Sequence, residues 1–348
     1  MNNMANNCQL SIVNYQLSII NCQLSIEKMK QLYTTLLLAL AAASTMAQER
    51  IVPIKFGDME HWTVRYIKES RLLGGNTKKL YVLAPTDTIR KNAAFDFSKT
   101  IWGISNAYAS PAGIDKGANA AQPEKRGKGH CARLDTRIEE VKVLGFIDLE
   151  VCVVGTLFLG SNIEPVTSAS DPYAAINMGI PFTQKPKAVM LDLKARVSPE
   201  QKVLKATGLS KKKWIVGHDE PEVYVFLQKR WEDADGQIHA LRIGTARERF
   251  SKTIPEWKNN YRIDIHYGDI TGEAFFKDYM GLFPAAGQFK ARNSKGKMVR
   301  IQEDGWGSAD DTPTHVILMI TAGCYPAFYG YPGNALWVDN VKWIFEAK

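Results

Sequence analysis

"AVMLDLKARV", residues 188–197, decides the fold class. Val189, Leu191 and Leu193 alternate with Met190, Asp192 and Lys194. A period of two sends successive side chains to opposite faces of a strand, so the segment predicts one buried face and one wetter face. The pattern returns in "YRIDIHYG" (261–268), where Tyr261, Ile263 and Ile265 alternate with Arg262, Asp264 and His266. Further strand-like runs are "WTVRYIKES" (62–70), "EVYVFLQKRW" (222–231), "HVILMITA" (315–322) and "ALWVDNVKWIF" (335–345). Turn signals punctuate them: Asp235-Gly236, "NSKGK" (293–297) and "YPGN" (331–334). Helical periodicity is confined to one short candidate, "GEAFFKDYMGLF" (272–283). Many strands with turns between them predict an all-β chain, a β-sandwich of the jelly-roll kind. Without a Pro/Ser-rich divider, residues 48–348 read as a single domain. A smaller β unit ending near residue 125 is the alternative.

The chain opens differently. Gln-Leu-Ser-Ile stands at Gln9–Ile12 and returns at Gln16–Ile19 and Gln23–Ile26. This heptad spacing is short and built of weak helix formers, so it makes a poor coiled coil. From Met29 the text changes to a start residue, Lys30, an apolar run over Leu36–Ala43, and small residues at Thr45 and Ala47. That is the order of a secretory signal peptide, too short to span a membrane, with cleavage after Ala47. Residues 1–28 are then expected to be an artefact of start-site choice, residues 29–47 the leader, and the mature chain exported to the periplasm, the cell surface or beyond. The net charge of +8 is spread out, with its densest cluster at Lys211–Lys213. No basic helix or nucleic-acid motif accompanies it, so no nucleic-acid partner is expected. The odd set Cys131, Cys152 and Cys324 left after cleavage is no disulfide framework. Buried free thiols are expected, with a Cys131–Cys152 bridge as the alternative.

Five spaced segments carry a family resemblance: "GHCARLDTR" (129–137), "GTLFLG" (155–160), "GIPFTQKPKAVMLDLK" (179–194), "GWGSADDTPTHVILMITA" (305–322) and "PGNALWVDNVKWIF" (332–345). Together they resemble the PCMD family, a carbohydrate metabolism domain of exported gut-bacterial proteins. The resemblance spans roughly residues 56–345. It implies a jelly roll similar to carbohydrate-binding modules and a role in glycan capture or metabolism, and it brings no catalytic residues. In such modules an early acid and a late Asp share a structural Ca²⁺. "FGDMEHW" (56–62) and "LWVDNV" (336–341) put Glu60 and Asp339 at those positions, with Asn340 where a second acid is common.

Sugars are held by aromatic platforms with forked polar groups beside them. Trp102 and Trp306 lie in Gly/Ser-rich settings outside the alternating runs, so the expected platform is Trp102 and Trp306, with Asp304 and Asp310 accepting from hydroxyls. Trp62, Trp231, Trp337 and Trp343 lie in strand runs and read as core. The enzyme alternative is a glycoside hydrolase drawing one carboxylate from 220–222 and another from 303–311, with Glu220 and Asp304 as candidates. A third reading is a structural or adhesin-like surface protein. An oligo- or polysaccharide-binding protein is preferred.

Overall fold

The computed structural model describes residues 23–25, 27–31, 34, 49–143, 147–167, 171, 173–208, 210–284 and 289–347. The first two copies of the heptad repeat, the apolar core of the leader and its cleavage site lie outside them. Gln23–Ser25 and Glu27–Gln31 are helical. Ile51–Phe345 form one compact unit. No described helix is long and apolar enough to cross a membrane.

Thirteen strands carry the argument: β1 (Ala121–Arg126), β2 (Gly129–Val143), β3 (Ile147–Val154), β4 (Thr156–Asn162), β5 (Ala188–Arg196), β6 (Lys202–Lys205), β7 (Lys213–Val216), β8 (Glu222–Glu232), β9 (Ile238–Arg249), β10 (Ile254–Asp264), β11 (Met298–Trp306), β12 (His315–Thr321) and β13 (Ala335–Phe345). The first large sheet runs β3-β2-β13-β5-β10, with β1 on β2. The second runs β4-β12-β8-β9-β11. These two sheets form an all-β sandwich of jelly-roll type. Within the second sheet β9 and β11 run parallel. A three-stranded sheet over residues 62–89 packs Trp62 and Leu83 into the same core. The helix expected over 272–283 is only the 3₁₀ turn Asp278–Met280.

The alternating positions meet between the sheets. Val189, Leu191 and Leu193 of β5 and Leu336 and Val338 of β13 face Val223, Val225 and Leu227 of β8 and Val316, Leu318 and Ile320 of β12. Each such side chain, fully buried, stabilises the fold by about 1.5–3 kcal/mol. The outer face of β5 is less wet than its alternation suggests. Asp192 is buried because three distant groups converge on it. Its carboxylate accepts from the Asn260 N–H at 2.7 Å, the Asn340 amide at 2.9 Å and the Arg126 guanidinium at 2.9 Å. Both asparagines are left-handed (φ 53° and 52°), and the ladders to β10 and β13 slip in register here. Asp192 therefore pins a bulge in each neighbouring strand.

Candidate functional site

The β8–β9 hairpin runs past the end of the sandwich, and its tip carries an open aromatic surface. Trp231 stands directly opposite His239, which is opposite Gln302 of β11. One row across three strands thus presents an indole, an imidazole and an amide on the same face. The Trp231 and His239 rings stack at 5.5 Å and 15°. Trp231 is 44% exposed. The imidazole is clamped from both sides: Nδ1 bonds Asp304 at 2.8 Å and Nε2 bonds Asp233 at 3.3 Å. The Asp304 hydrogen bond raises the His239 pKa, with Asp233 adding to it against slight desolvation. The second Asp304 oxygen accepts from Gln302 Nε2 at 2.8 Å. One step inward, Lys229 pairs with Asp311 at 2.9 Å. The hairpin turn is closed by Asp233, which accepts the Gln237 N–H, and by Gly236 at φ 88°. The result is a flat ring on a rigid element, bordered by carboxylates with free lone pairs.

Behind this surface the outer face of the second sheet is sealed. Arg242 of β9 and Glu303 of β11 form a bidentate pair at 2.6 and 2.5 Å, both side chains wholly buried. The guanidinium lies 3.6 Å from the Phe226 ring centre, with Phe283 and Trp306 farther off on the same face. Gln228 and the Phe283 N–H also bond Glu303, so no oxygen of it is left for chemistry. At the far end of β8, Glu222 holds Arg247 and Arg249. An open hollow of about 360 Å³ sits beside them, with Phe275 stacked on His266 at its edge. Several of its charged groups are engaged: Arg247 with Glu222 and the Tyr279 carbonyl, Arg262 with Asp264, and Glu248 with the Tyr261 hydroxyl.

The expected platform is therefore corrected. Trp102 is 0% exposed and sits in the main core, its indole N–H donating to the Lys55 carbonyl at 2.7 Å. It offers no ring face to a ligand. Trp306 is half-buried on the Arg242 face and does not meet Trp102. Asp310 is exposed on a loop, its N–H donating to Ser308 Oγ. Of the four expected binding residues, Asp304 alone stands in the exposed row. Trp231, expected in the core, is its aromatic partner. The signal for Trp231 was the Asp235-Gly236 turn, which places it four residues before a hairpin tip.

The expected carboxylate pair does not form. Glu220 bonds His218 at the start of β8, while Asp304 bonds His239 opposite Trp231. Glu222 and Trp231 lie nine residue steps apart on one strand, about 30 Å at the rise of a β-strand. Glycosidase pairs stand about 5–10 Å apart.

The Ca²⁺ implied by the family resemblance fails a test of its donors. Asp339 faces Asp192 across the Arg126 guanidinium, which bonds them at 2.6 and 2.9 Å. A cation already fills the place between these acids, and it rests 3.9 Å from the Trp257 ring centre. Glu60 is turned to His130, accepting from its N–H at 2.9 Å. The two acids thus serve different partners. Among the described residues no group of three or more His, Cys, Asp or Glu is placed to hold a metal.

Cys131 and Cys152 are free, buried thiols in separate apolar clusters. Burial pushes them up to about 11 and about 12. Cys324 is free as well and, mainly through burial, is raised to about 11.

No family model matches the chain, and no curated protein matches it. Two solved structures are similar in outline. One is described as a "putative glycoside hydrolase" from Bacteroides thetaiotaomicron, with 20% identity, a TM-score of 0.45, and coverage of 82% of this chain and 72% of that one. The other carries the same description and comes from Bacteroides vulgatus, with 14% identity, a TM-score of 0.37, and coverage of 85% and 94%.

Proposed function

We propose that this protein binds carbohydrate on the Trp231 row at the hairpin end of the sandwich. The observation that carries the reading is the solvent-open indole stacked on a doubly clamped imidazole, with Asp304 and Asp233 at its border. A pyranose lays its C–H face on such a ring, and its hydroxyls donate to the flanking carboxylates. The PCMD resemblance agrees with this chemistry, and the leader-like segment at 29–47 suits a protein that meets glycans outside the cytoplasm. Binding without turnover is favoured over hydrolysis because the two acids expected to act together lie at opposite ends of β8.

A glycan array with the parent chain and Trp231→Ala tests the reading, followed by a reducing-sugar release assay on every glycan retained. Binding lost in Trp231→Ala, with no sugar released, is the expected result. Binding that survives in Trp231→Ala moves the site elsewhere. Sugar released by the parent chain replaces the module with an enzyme.

A further inference from the structure

The small sheet over the end of the sandwich has an open edge. Its order is β7, β6, then Tyr329–Gly330, so β7 is paired on one side only among the described residues. The Gly217 N–H donates to the Gln201 carbonyl at 3.4 Å, and Val216 is opposite Lys202. Backbone groups alternate in direction along an antiparallel ladder. Lys213 and Ile215 therefore turn theirs toward β6, and Trp214 and Val216 turn theirs outward. The side chains at the same two positions are bare: Trp214 is 46% exposed and Val216 is 92% exposed. Trp214 leans on Tyr331 at 5.6 Å, with the Lys202 ammonium 5.3 Å from its ring.

Charge says what fits this edge. Lys211, Lys212 and Lys213 lead into the strand, and Lys202 and Lys205 flank it on β6. Lys212 holds Glu150 and Lys202 holds Glu200. Among the described residues Lys211 and Lys213 are exposed and engage no carboxylate. A second copy of the chain would bring this lysine run against itself, which is how natural edges discourage self-pairing. An acidic strand turns the same lysines from a barrier into an attraction.

We propose that β7 is a docking edge for an extended acidic segment of a partner protein. The segment pairs with the outward backbone of Trp214 and Val216, lays apolar side chains beside Trp214, and sets its carboxylates against Lys211 and Lys213. This is strand addition with charge selecting the partner. It is independent of the Trp231 surface.

The test is calorimetric titration of the full chain with a peptide of alternating Glu and Val, and with the matching Gln and Val peptide. The Glu peptide is expected to bind and the Gln peptide to bind about tenfold more weakly or not at all. Val216→Pro removes one outward N–H and leaves the β6 pairing intact, as proline is tolerated at edges. It is expected to weaken the Glu peptide about tenfold. The double change Lys211→Glu with Lys213→Glu alters no backbone donor and is expected to do the same. Trp231→Ala is expected to leave peptide binding unchanged. Equal affinity for both peptides, no affinity for the Glu peptide, or full affinity in both β7 variants overturns the proposal. So does displacement of the peptide by self-association of the chain at high concentration.

Discussion

Two indoles set the interior of the sandwich against its rim. Trp102 is 0% exposed and bonds a backbone carbonyl inside the core, whereas Trp231 is 44% exposed and stacks on a histidine. Both lie on strands. The difference is what stands across from them. Trp102 faces side chains of both sheets, while Trp231 lies where its hairpin has outrun the first sheet. Alternation therefore states which face of a strand a side chain takes, and the length of the opposite sheet decides whether that face is dry.

Changes in the interior should dominate stability. Trp102→Ala is expected to cost about 3–5 kcal/mol through lost burial and a large cavity, read as a lower urea midpoint with unchanged slope. Glu303→Gln leaves Arg242 as a buried cation without its counter-ion. A loss of about 3 kcal/mol is expected in the same assay. If either variant unfolds like the parent chain, the division between interior and rim is misplaced.

Two largely buried groups away from the Trp231 row should titrate. Burial, with the nearby Arg230 cation, lowers His315 to about 4, and burial raises Asp219 to about 6 against the N–H groups of Tyr331 and Cys324. The stability that His315 contributes is present above its unfolded value of 6.5 and is lost as pH falls through about 4. The contribution of Asp219 is present below 3.8 and is lost as pH rises through about 6. Between these values the two slopes oppose each other. Relative to the parent chain, His315→Asn should shift the stability difference between pH 4 and pH 6.5 by on the order of 2–3 kcal/mol, favouring the acid side. Asp219→Asn should shift it the other way. Urea unfolding at both pH values measures each, and shifts of the same sign in the two variants would contradict the assignment.

The smallest effect on stability belongs to the rim. Trp231→Ala is expected to change unfolding by no more than about 0.5 kcal/mol, as an exposed substitution, yet to weaken glycan binding by about tenfold or more. A stability loss as large as that of Trp102→Ala would return Trp231 to the core.

Much of the fold was legible because its signal is local. Val189, Leu191 and Leu193 announce their strand within six residues, and the Asp235-Gly236 turn announces the hairpin. The site was legible only in Asp304. Trp102 looked exposed because it stands among Gly, Ser and Asn, but Gly103 is there for close packing: a Cβ would lie 2.1 Å from the Phe158 ring. Asp192 looked wet because its three partners, Arg126, Asn260 and Asn340, come from distant parts of the chain. The expected metal site failed for a similar reason. The acid at 339 is real, but the cation beside it is a guanidinium from residue 126.

The last of the described strands in sequence order lies in the middle of the first sheet. β13 stands between β2 and β5, and the Arg126–Asp339 bond closes a span of 213 residues. Until Ala335–Phe345 leave the ribosome, β2 and β5 are two separate open edges, and the first sheet is in two pieces. Contacts this remote in sequence form slowly and leave apolar edges exposed while they wait. The first sheet therefore stays unfinished until β13 has been made, and its edges depend until then on whatever shields them.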